Sequence, residues 1–422
     1  SDGMSQGVLS MTEAFSKQLR GKGTRWWELM AGPKAVMGLM DTASANSMVT
    51  DSAAASSAWG GGKRVPNGRI NVDADGKHRE SIGETLHKKG VRIGLVSTAT
   101  ITHATPAGFA ATVPRRGQEH QIAEQYLNRV EVILGGGSRF FHKQGRGDKR
   151  DLAGEFAKAK YEVVGSRDEL LKSRSKKILG TFSPGYIPYM VDYLQEQELR
   201  KQIPTLAEMA EAALSRFLGD EAPFLMQLEG ARIDHAAHKN DIGAILHEQM
   251  AFDDAVSKVL QMVGERDDIL VILTSDHGNA NPGLNGTGPG YRDTNEAFSQ
   301  IARIKGSAES FISQWNRSKK KDTAAMRELM ESVYGFKPAP QELQAMMDRL
   351  GGKKVTEWSN QLSNPVGLLG QIVGNVTGTG WTGVVHTSDP TQVTSIGPGA
   401  ESFTGLIRND AVHGKLLELL AG

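Results

Sequence analysis

Asp268-Ile269-Leu270-Val271-Ile272-Leu273-Thr274-Ser275-Asp276-His277 is the stretch on which the fold turns. Five consecutive aliphatic residues run without alternation and stop at a carboxylate and an imidazole. A short, uninterrupted apolar run rich in β-branched residues is the pattern of a strand buried on both faces, as in a parallel sheet covered by helices. The same pattern recurs at Val91–Val96, Val130–Leu134, Lys177–Phe182, Pro223–Leu228 and Gly383–Val385, which are read as the further strands. Between them lie longer helical patterns. Thr205-Leu206-Ala207-Glu208 has the form of a capping box opening a helix to about Leu218. From Asp241 to about Val263, Phe252, Val256, Val259 and Val263 recur at helical spacing, with Gly264 as the stop. Alternating strands and helices imply an α/β fold: a three-layer α/β/α sandwich with a large, mostly parallel central sheet.

Two regions break the alternation. Residues 60–78 are turn-rich and read as a surface loop. From about Ala297 to Gly380 helical, Lys- and Met-rich sequence takes over, including Asp322–Val333 and Pro340–Leu350. The expected organisation is a catalytic α/β core of residues 1–296 and 381–422, with a mostly helical insertion at 297–380. No internal repeat or long low-complexity tract appears.

Composition narrows the function. With 422 residues, 39% of them apolar and 23% charged, the chain can bury a sizeable core. Forty-nine basic against 48 acidic residues leave a formal charge of +1, which gives no electrostatic reason to expect nucleic acid or an anionic membrane as the main partner. No apolar run approaches the roughly 18 residues of a transmembrane helix. The absence of cysteine excludes thiolate metal sites, disulfides and cysteine nucleophiles. The first residues carry no targeting signal, and the chain is expected to start inside the fold, with nothing before Asp2 to position it.

The polar residues cluster where strands end. Phe224-Leu225-Met226-Gln227-Leu228 leads into Glu229, Ile269–Leu273 into Asp276 and His277, and Val384-Val385 into His386. In open α/β sheets ligands bind beyond the carboxyl ends of the strands, so these groups can converge on one edge. After Glu229, Asp234 and His238 stand at i, i+4 and share a helix face, a metal-ligand spacing. Singly, an Asp at a strand end is ordinarily a turn or cap residue, and a lone His a hydrogen-bonded one. Together, so many buried carboxylates and imidazoles would cost several kcal/mol per uncompensated ion, which divalent cations would offset and packing would not. Nitrogen and oxygen ligands without sulfur suit zinc, with magnesium where oxygens dominate. Asp51-Ser52 followed by Ala53-Ala54-Ala55 suggests a helix beginning at the serine, whose N-terminal amides favour an anion; a packed small-residue helix with an N-cap is the plainer reading. Thr98–Pro106 and Arg115-Arg116 read alone as a polar loop with surface arginines.

Taken in order, Asp2-Gly3-Met4, Thr50-Asp51-Ser52-Ala53-Ala54, Ala104-Thr105-Pro106-Ala107 with a following Arg116, Glu229-Gly230-Ala231-Arg232-Ile233-Asp234 with His238, Ser275-Asp276-His277 and His386-Thr387 resemble the alkaline phosphatases. The resemblance spans residues 2 to 386 and leaves 297–380 unassigned. It implies that Asp2 bridges a second zinc and a magnesium, and that Ser52 is the nucleophile facing the second zinc, which Asp276 and His277 also bind. Asp234, His238 and His386 would hold the first zinc. Thr105 and Glu229 would complete the magnesium site, and Arg116 would clamp two phosphate oxygens with its planar fork. His103 and His235 stand where one bacterial branch has Asp and Lys, and where the vertebrate branch has His; they imply contact with phosphate through water and leave the third metal open between magnesium and zinc. A ligand at position 2 without a preceding strand would weaken two metal sites at once.

The implied reaction is hydrolysis of phosphate monoesters through a phosphoserine, at a site of two zinc ions and one magnesium. Small phosphate monoesters would be the partners, a homodimer the common assembly with 297–380 as a crown or interface element, and the periplasm or exterior the location, a lead peptide lying upstream. Three other readings compete. A sulfatase needs Cys/Ser-x-Pro-x-Arg, which Ser52-Ala53-Ala54-Ala55 does not match. A phosphodiesterase of the same superfamily commonly uses Thr and lacks the third site. A non-catalytic metal-dependent phosphate-binding protein needs no nucleophile.

Overall fold

The computed structural model describes residues 1–421. Strands follow in the order β1 Val36–Asp41, β2 Arg92–Thr100, β3 Val132–Gly136, β4 Glu162–Val164, β5 Ile178–Thr181, β6 Phe224–Glu229 and β7 Val271–Thr274. The two-residue pieces β8 Gly278–Asn279, β9 Gly283–Leu284, β10 Thr379–Gly380 and β11 His386–Thr387 come next, and β12 Thr391–Ile396 and β13 Gly405–Arg408 close the series. Five strands pair in parallel in the order β4-β5-β3-β2-β6, and four form a mixed sheet, β13-β1-β12-β7.

Side chains alternate across the parallel sheet. Ile93, Leu95 and Ile133 enter one apolar cluster, Val96, Val132 and Leu134 the other. The first cluster is completed by helices such as Ile82–His87 and Glu119–Tyr126, the second by Gln6–Arg20, Leu206–Leu218 and Ile242–Val263. The result is the expected three-layer α/β/α arrangement. The capping box at Thr205 and Glu208 forms, and Gly264 ends the long helix at φ +60°.

The structure departs from the expectation in its strands. Gly383–Val385 is not a strand; the pairing falls on His386-Thr387, against β8. The three-residue edge strand β4 was not anticipated, nor were β1, β12 and β13. The last three interleave Met, Gly, Gln, Thr and Ser with apolar residues, since two of them are buried less evenly than a parallel core strand. Residues 294–377 are helices, but Phe311, Met330, Met346 and Leu369 among them join the same apolar cluster as the 242–263 helix rather than a core of their own.

Candidate active site and its relatives

Three chain segments deliver carboxylates to one point at the sheet's edge. Register places Ser97 of β2 beside Glu229 at the end of β6, and Ser97 Oγ donates to Glu229 Oε2 at 2.5 Å. Past β7, Asp276 accepts from the backbone of Gly3 at 3.1 Å, and Ser275 Oγ accepts from Met4 N at 2.8 Å. Asp2 is thereby held: Ser1 N donates to Thr274 O at 2.9 Å, and Asp2 N to Gly230 O at 3.3 Å. The concern that a ligand at position 2 hangs loose does not apply, because its neighbours tie it to both β6 and β7. Gly3 makes this approach possible. Its φ is +64°, and a Cβ there would lie 2.5 Å from Asp234 Oδ1.

The histidines come in from the other side. Asp234 and His238 lie on the helix Arg232–His238, and His238 Nε2 is 3.5 Å from Asp234 Oδ2. His386 Nε2 is 3.4 Å from Asp234 Oδ1 and 3.0 Å from His238 Nε2. His277 Nε2 is 3.1 Å from Asp276 Oδ2 and 3.6 Å from Asp2 Oδ1, and its ring stacks on His386 with centroids 3.7 Å apart. All three imidazoles donate Nδ1–H to a backbone carbonyl: His238 to Val384 and His386 to Thr50 at 2.8 Å, His277 to Gly278 at 3.3 Å. A carbonyl only accepts, so Nδ1 carries the proton and each Nε2 presents a lone pair to the cluster.

Asp51 caps the helix Ser52–Gly61 by accepting from Ala54 N at 2.9 Å. The small-residue sequence of this helix has a packing reason as well, since a Cβ on Gly60 would come within 1.9 Å of Gly108 O on the neighbouring helix. Ser52 is buried, and its Oγ lies 3.3 Å from His277 Nε2, turned into the cluster. The other carboxylate oxygen of Asp51 takes Arg116 at 3.1 Å, while Arg116 also reaches His103 Nε2 at 3.0 Å. Arg115 is exposed. His103 caps the helix Ala104–Ala110 from which Thr105 points inward, and lies edge-on to His235, 5.5 Å between centroids.

Electrostatics at this point are unfavourable without cations. Burial, followed by repulsion from Asp276, Asp234 and Glu229, holds the Asp2 carboxyl well above the usual range. Burial pushes Glu229 up to about 7 against the Ser97 hydrogen bond. For Asp276 burial acts upward too, but the adjoining His277 brings it down to about 2. Burial depresses His103 strongly, His235 to about 3 and His386 to about 4, so these rings are neutral at pH 7. Both Asp2 oxygens, Glu229 Oε1, Asp276 Oδ2 and Thr105 Oγ1 are buried without a partner. Orphaned acceptors of this kind, beside neutral imidazoles, are what divalent cations satisfy. Ligand atoms lie within 4.8 Å of one another in three overlapping sets: Asp234, His277 and His386; Asp2, Asp276 and His277; and Asp2, His103 and Glu229. Of the ligands anticipated from the sequence, Asp2, Glu229, Asp234, Asp276, His277 and His386 fall in these sets, with His277 shared between two and His103 joining the third; His238, 3.5 Å from Asp234, is in none of them.

Other contributors carried no sequence signal. Asn279 Nδ2 donates to Asp234 Oδ1 at 2.7 Å and fixes that carboxylate. Arg232 is buried, contacts His235 Nδ1 at 3.0 Å and pairs with Glu309 at 3.1 Å, so the helical region 297–380 reaches the site. Tyr186, partly exposed, packs on His235 with centroids 4.5 Å apart. Asn279, two residues past His277, and Arg232, inside the Glu229–Asp234 motif, lay with the motifs, but their contacts to Asp234 and Glu309 and that of Tyr186 to His235 join distant segments.

Comparison with known proteins agrees with this geometry. The sequence profile of the alkaline phosphatase family matches residues 1–421. Alkaline phosphatase 3 of Bacillus subtilis is 29% identical over 382 residues, covering 88% of this chain and 77% of that protein. Alkaline phosphatase of Escherichia coli is 30% identical over 275 residues, covering 55% and 58%. The crystal structure of Thermus thermophilus alkaline phosphatase superposes with a TM-score of 0.92 at 30% identity, covering 100% of this chain and 89% of that one. The cold-active enzyme from Shewanella gives 0.82 at 25% identity, covering 100% and 98%. The chain belongs to the alkaline phosphatase family, metal-dependent hydrolases of phosphate monoesters.

Proposed function

We propose that the chain hydrolyses phosphate monoesters by transferring the phosphoryl group to Ser52 and then to water, with two zinc ions and one magnesium or zinc as its cofactors. The observation that carries this is Ser52 Oγ, buried and 3.3 Å from His277 Nε2, beside carboxylates that lack partners. Asp234, His238 and His386 would hold one cation, Asp2, Asp276 and His277 a second, and Asp2, Thr105 and Glu229, with His103 adjacent, a third. Cations held by these residues would lower the pKa of the Ser52 hydroxyl and stabilise the entering and departing oxygens of an in-line displacement.

The chain's own groups supply the rest. Ser52 attacks from the first turn of its helix, where unpaired amides favour the developing negative charge. Arg116, pre-oriented by Asp51, presents its fork to two non-bridging phosphate oxygens. His103 and His235, kept neutral by burial, offer hydrogen bonds to phosphate or its water without adding charge. Tyr186 lies at the mouth, where the alcohol portion would stand. The helical region 297–380 we read as an insertion that buttresses this wall through Glu309. The homodimer and the periplasmic or extracellular location implied by the resemblance are proposed on that ground. No helix among the described residues is long and apolar enough to cross a membrane.

Metal quantification on the purified protein, beside parallel assays on a nitrophenyl monoester, a diester and a sulfate ester, tests the reading. A monoester preference, bound zinc and a trapped phosphoserine at position 52 are expected. A diester preference, or turnover that survives exhaustive chelation, overturns it.

A further inference from the structure

Tyr186 stands apart from the other large residues of its segment. Ile187, Tyr189 and Tyr193 are buried, whereas Tyr186 is 41% exposed. A single exposed aromatic side chain is ordinary on a protein surface, and means something only through what holds it and what it faces. Here the backbone beneath it is fixed. Gly137 N, just past β3, donates to Ser183 O at 2.9 Å and to Gly185 O at 2.8 Å, and Ser138 N donates to Ser183 O at 2.9 Å. On the other side of the tyrosine, Ile187 N donates to Thr98 O of β2 at 2.9 Å. Ser183 Oγ closes the turn on Tyr186 O at 2.8 Å. The turn lies so close on β3 that a Cβ at Gly136 would come within 2.2 Å of Gly185 O. Tyr186 is thus carried at the carboxyl edge of the parallel sheet, where Glu229 also stands, by a loop with little freedom to swing.

Its ring meets the residues placed around phosphate. The Tyr186 and His235 rings are 4.5 Å apart at an angle of 40°, and His103, which meets Arg116 at 3.0 Å, lies edge-on to Tyr186 at 6.1 Å. The buried guanidinium of Arg232 sits 3.6 Å over the Tyr189 ring and 5.2 Å from the centre of the Tyr186 ring. His235 and Arg232 therefore support Tyr186 from within, and its remaining surface is open. A single imidazole, His103, separates the phenol ring from the arginine that would clamp the phosphate oxygens. A group that reaches Tyr186 from that phosphate need be attached to the ester oxygen only directly or through one carbon.

We infer that Tyr186 is a stacking platform for the alcohol portion of the substrate, so that the site favours phosphate monoesters of planar aromatic alcohols over aliphatic ones of equal size. The inference rests on the reading above that phosphate lies between Ser52 and Arg116. An aromatic pair, offset or edge-on, gains beyond the area it buries, whereas a saturated ring of the same bulk gains the burial alone. The pinned turn adds to this, because a platform already held in place loses little freedom when a ring settles on it.

The test is a binding measurement with phosphonates, in which carbon replaces the ester oxygen and no hydrolysis occurs. Benzylphosphonate stands for an aryl phosphate, cyclohexylmethylphosphonate for its saturated counterpart, and inorganic phosphate for the shared group. Each is titrated by calorimetry into the metal-loaded parent, Tyr186→Phe and Tyr186→Leu, the leucine keeping apolar bulk against His235 without a ring. The parent is expected to bind benzylphosphonate about 3- to 10-fold more tightly than cyclohexylmethylphosphonate, the worth of one aromatic pair. Tyr186→Phe should keep that ratio, and Tyr186→Leu should bring it within about 2-fold of unity. A ratio near one in the parent, or one that survives in Tyr186→Leu, overturns the inference. So does a leucine variant that loses inorganic phosphate as steeply as benzylphosphonate, which would make Tyr186 a support for His235 alone. Inorganic phosphate that fails to bind the parent strikes the reading of the phosphate site, and this inference with it. Tyr186-dependent binding of benzylphosphonate without turnover of any monoester strikes the reaction and leaves the platform standing.

Discussion

The two poles of the site solve the same electrostatic problem differently. At the imidazole pole a single carboxylate stands among rings: His238 and His386 approach Asp234 at 3.5 and 3.4 Å, Asn279 donates to one oxygen, and its pKa falls below the usual range although burial acts the other way. At the carboxylate pole, Asp2, Glu229 and Asp276 are packed together with several oxygens unpartnered, and both Asp2 and Glu229 are pushed up. The first pole sets one carboxylate, already bonded to Asn279, among imidazoles, so fewer like charges face each other there before any ion arrives. The second is a site whose stability depends on its cations.

The largest effect expected falls between the poles. Ser52→Ala should lower kcat by about 10³-fold or more while leaving inorganic phosphate binding measurable by calorimetry. Unchanged turnover would remove Ser52 from the chemistry and leave the comparison without a common substrate position.

Chelation comes next. Stripping divalent ions should abolish turnover and lower the thermal midpoint by roughly 5–10 °C, since mass action withdraws binding energy from the folded state. Glu229→Gln should regain part of that loss in the stripped protein by removing one repelling charge, whereas His386→Ala should not. If both variants melt alike without metal, the two poles are not different in kind.

These assignments show which parts were readable in advance. Runs such as Ile269–Leu273 carry their burial in their composition, and the carboxylates that follow them sit at strand ends by simple adjacency, so Glu229, Asp276 and His277 were visible. The spacing of Asp234 and His238 on one helix turn was equally local. Asn279, Arg232 and Tyr186 were not, because what ties each into the site is a partner tens of residues away: Asp234 for Asn279, Glu309 for Arg232 and His235 for Tyr186. The strands β1 and β12 escaped for a related reason: antiparallel pairing between residues 36–40 and 391–395 needs no continuous apolar run, and nothing local marks it.

A smaller change tests the imidazole pole. Asn279→Ala frees one oxygen of Asp234 and should weaken metal retention by about 10–100-fold, read as the free zinc concentration at half-activity. No shift would mean that the imidazoles alone position that carboxylate.

The mildest signature is in pH. Glu229 in the metal-free fold is raised from 4.5 to about 7, so the folded form binds more protons than the unfolded one across that window. Its stabilising contribution is complete below about pH 4.5 and disappears as pH climbs through about 7. The melting curve of stripped parent minus stripped Glu229→Gln should therefore decline over that interval. In the loaded protein, where the ionised carboxylate is the bound form, the difference should rise with pH instead. The same slope in both states would mean that Glu229 meets no cation.

The anchoring of the three imidazoles has an evolutionary consequence. Their far nitrogens rest on the main chain at Thr50, Gly278 and Val384, so no neighbouring side chain can be exchanged to retune them. A descendant that came to prefer another ion would have to replace a ligand outright or reshape a loop. Intermediate steps are scarce under such an arrangement, and drift in ion preference is correspondingly slow.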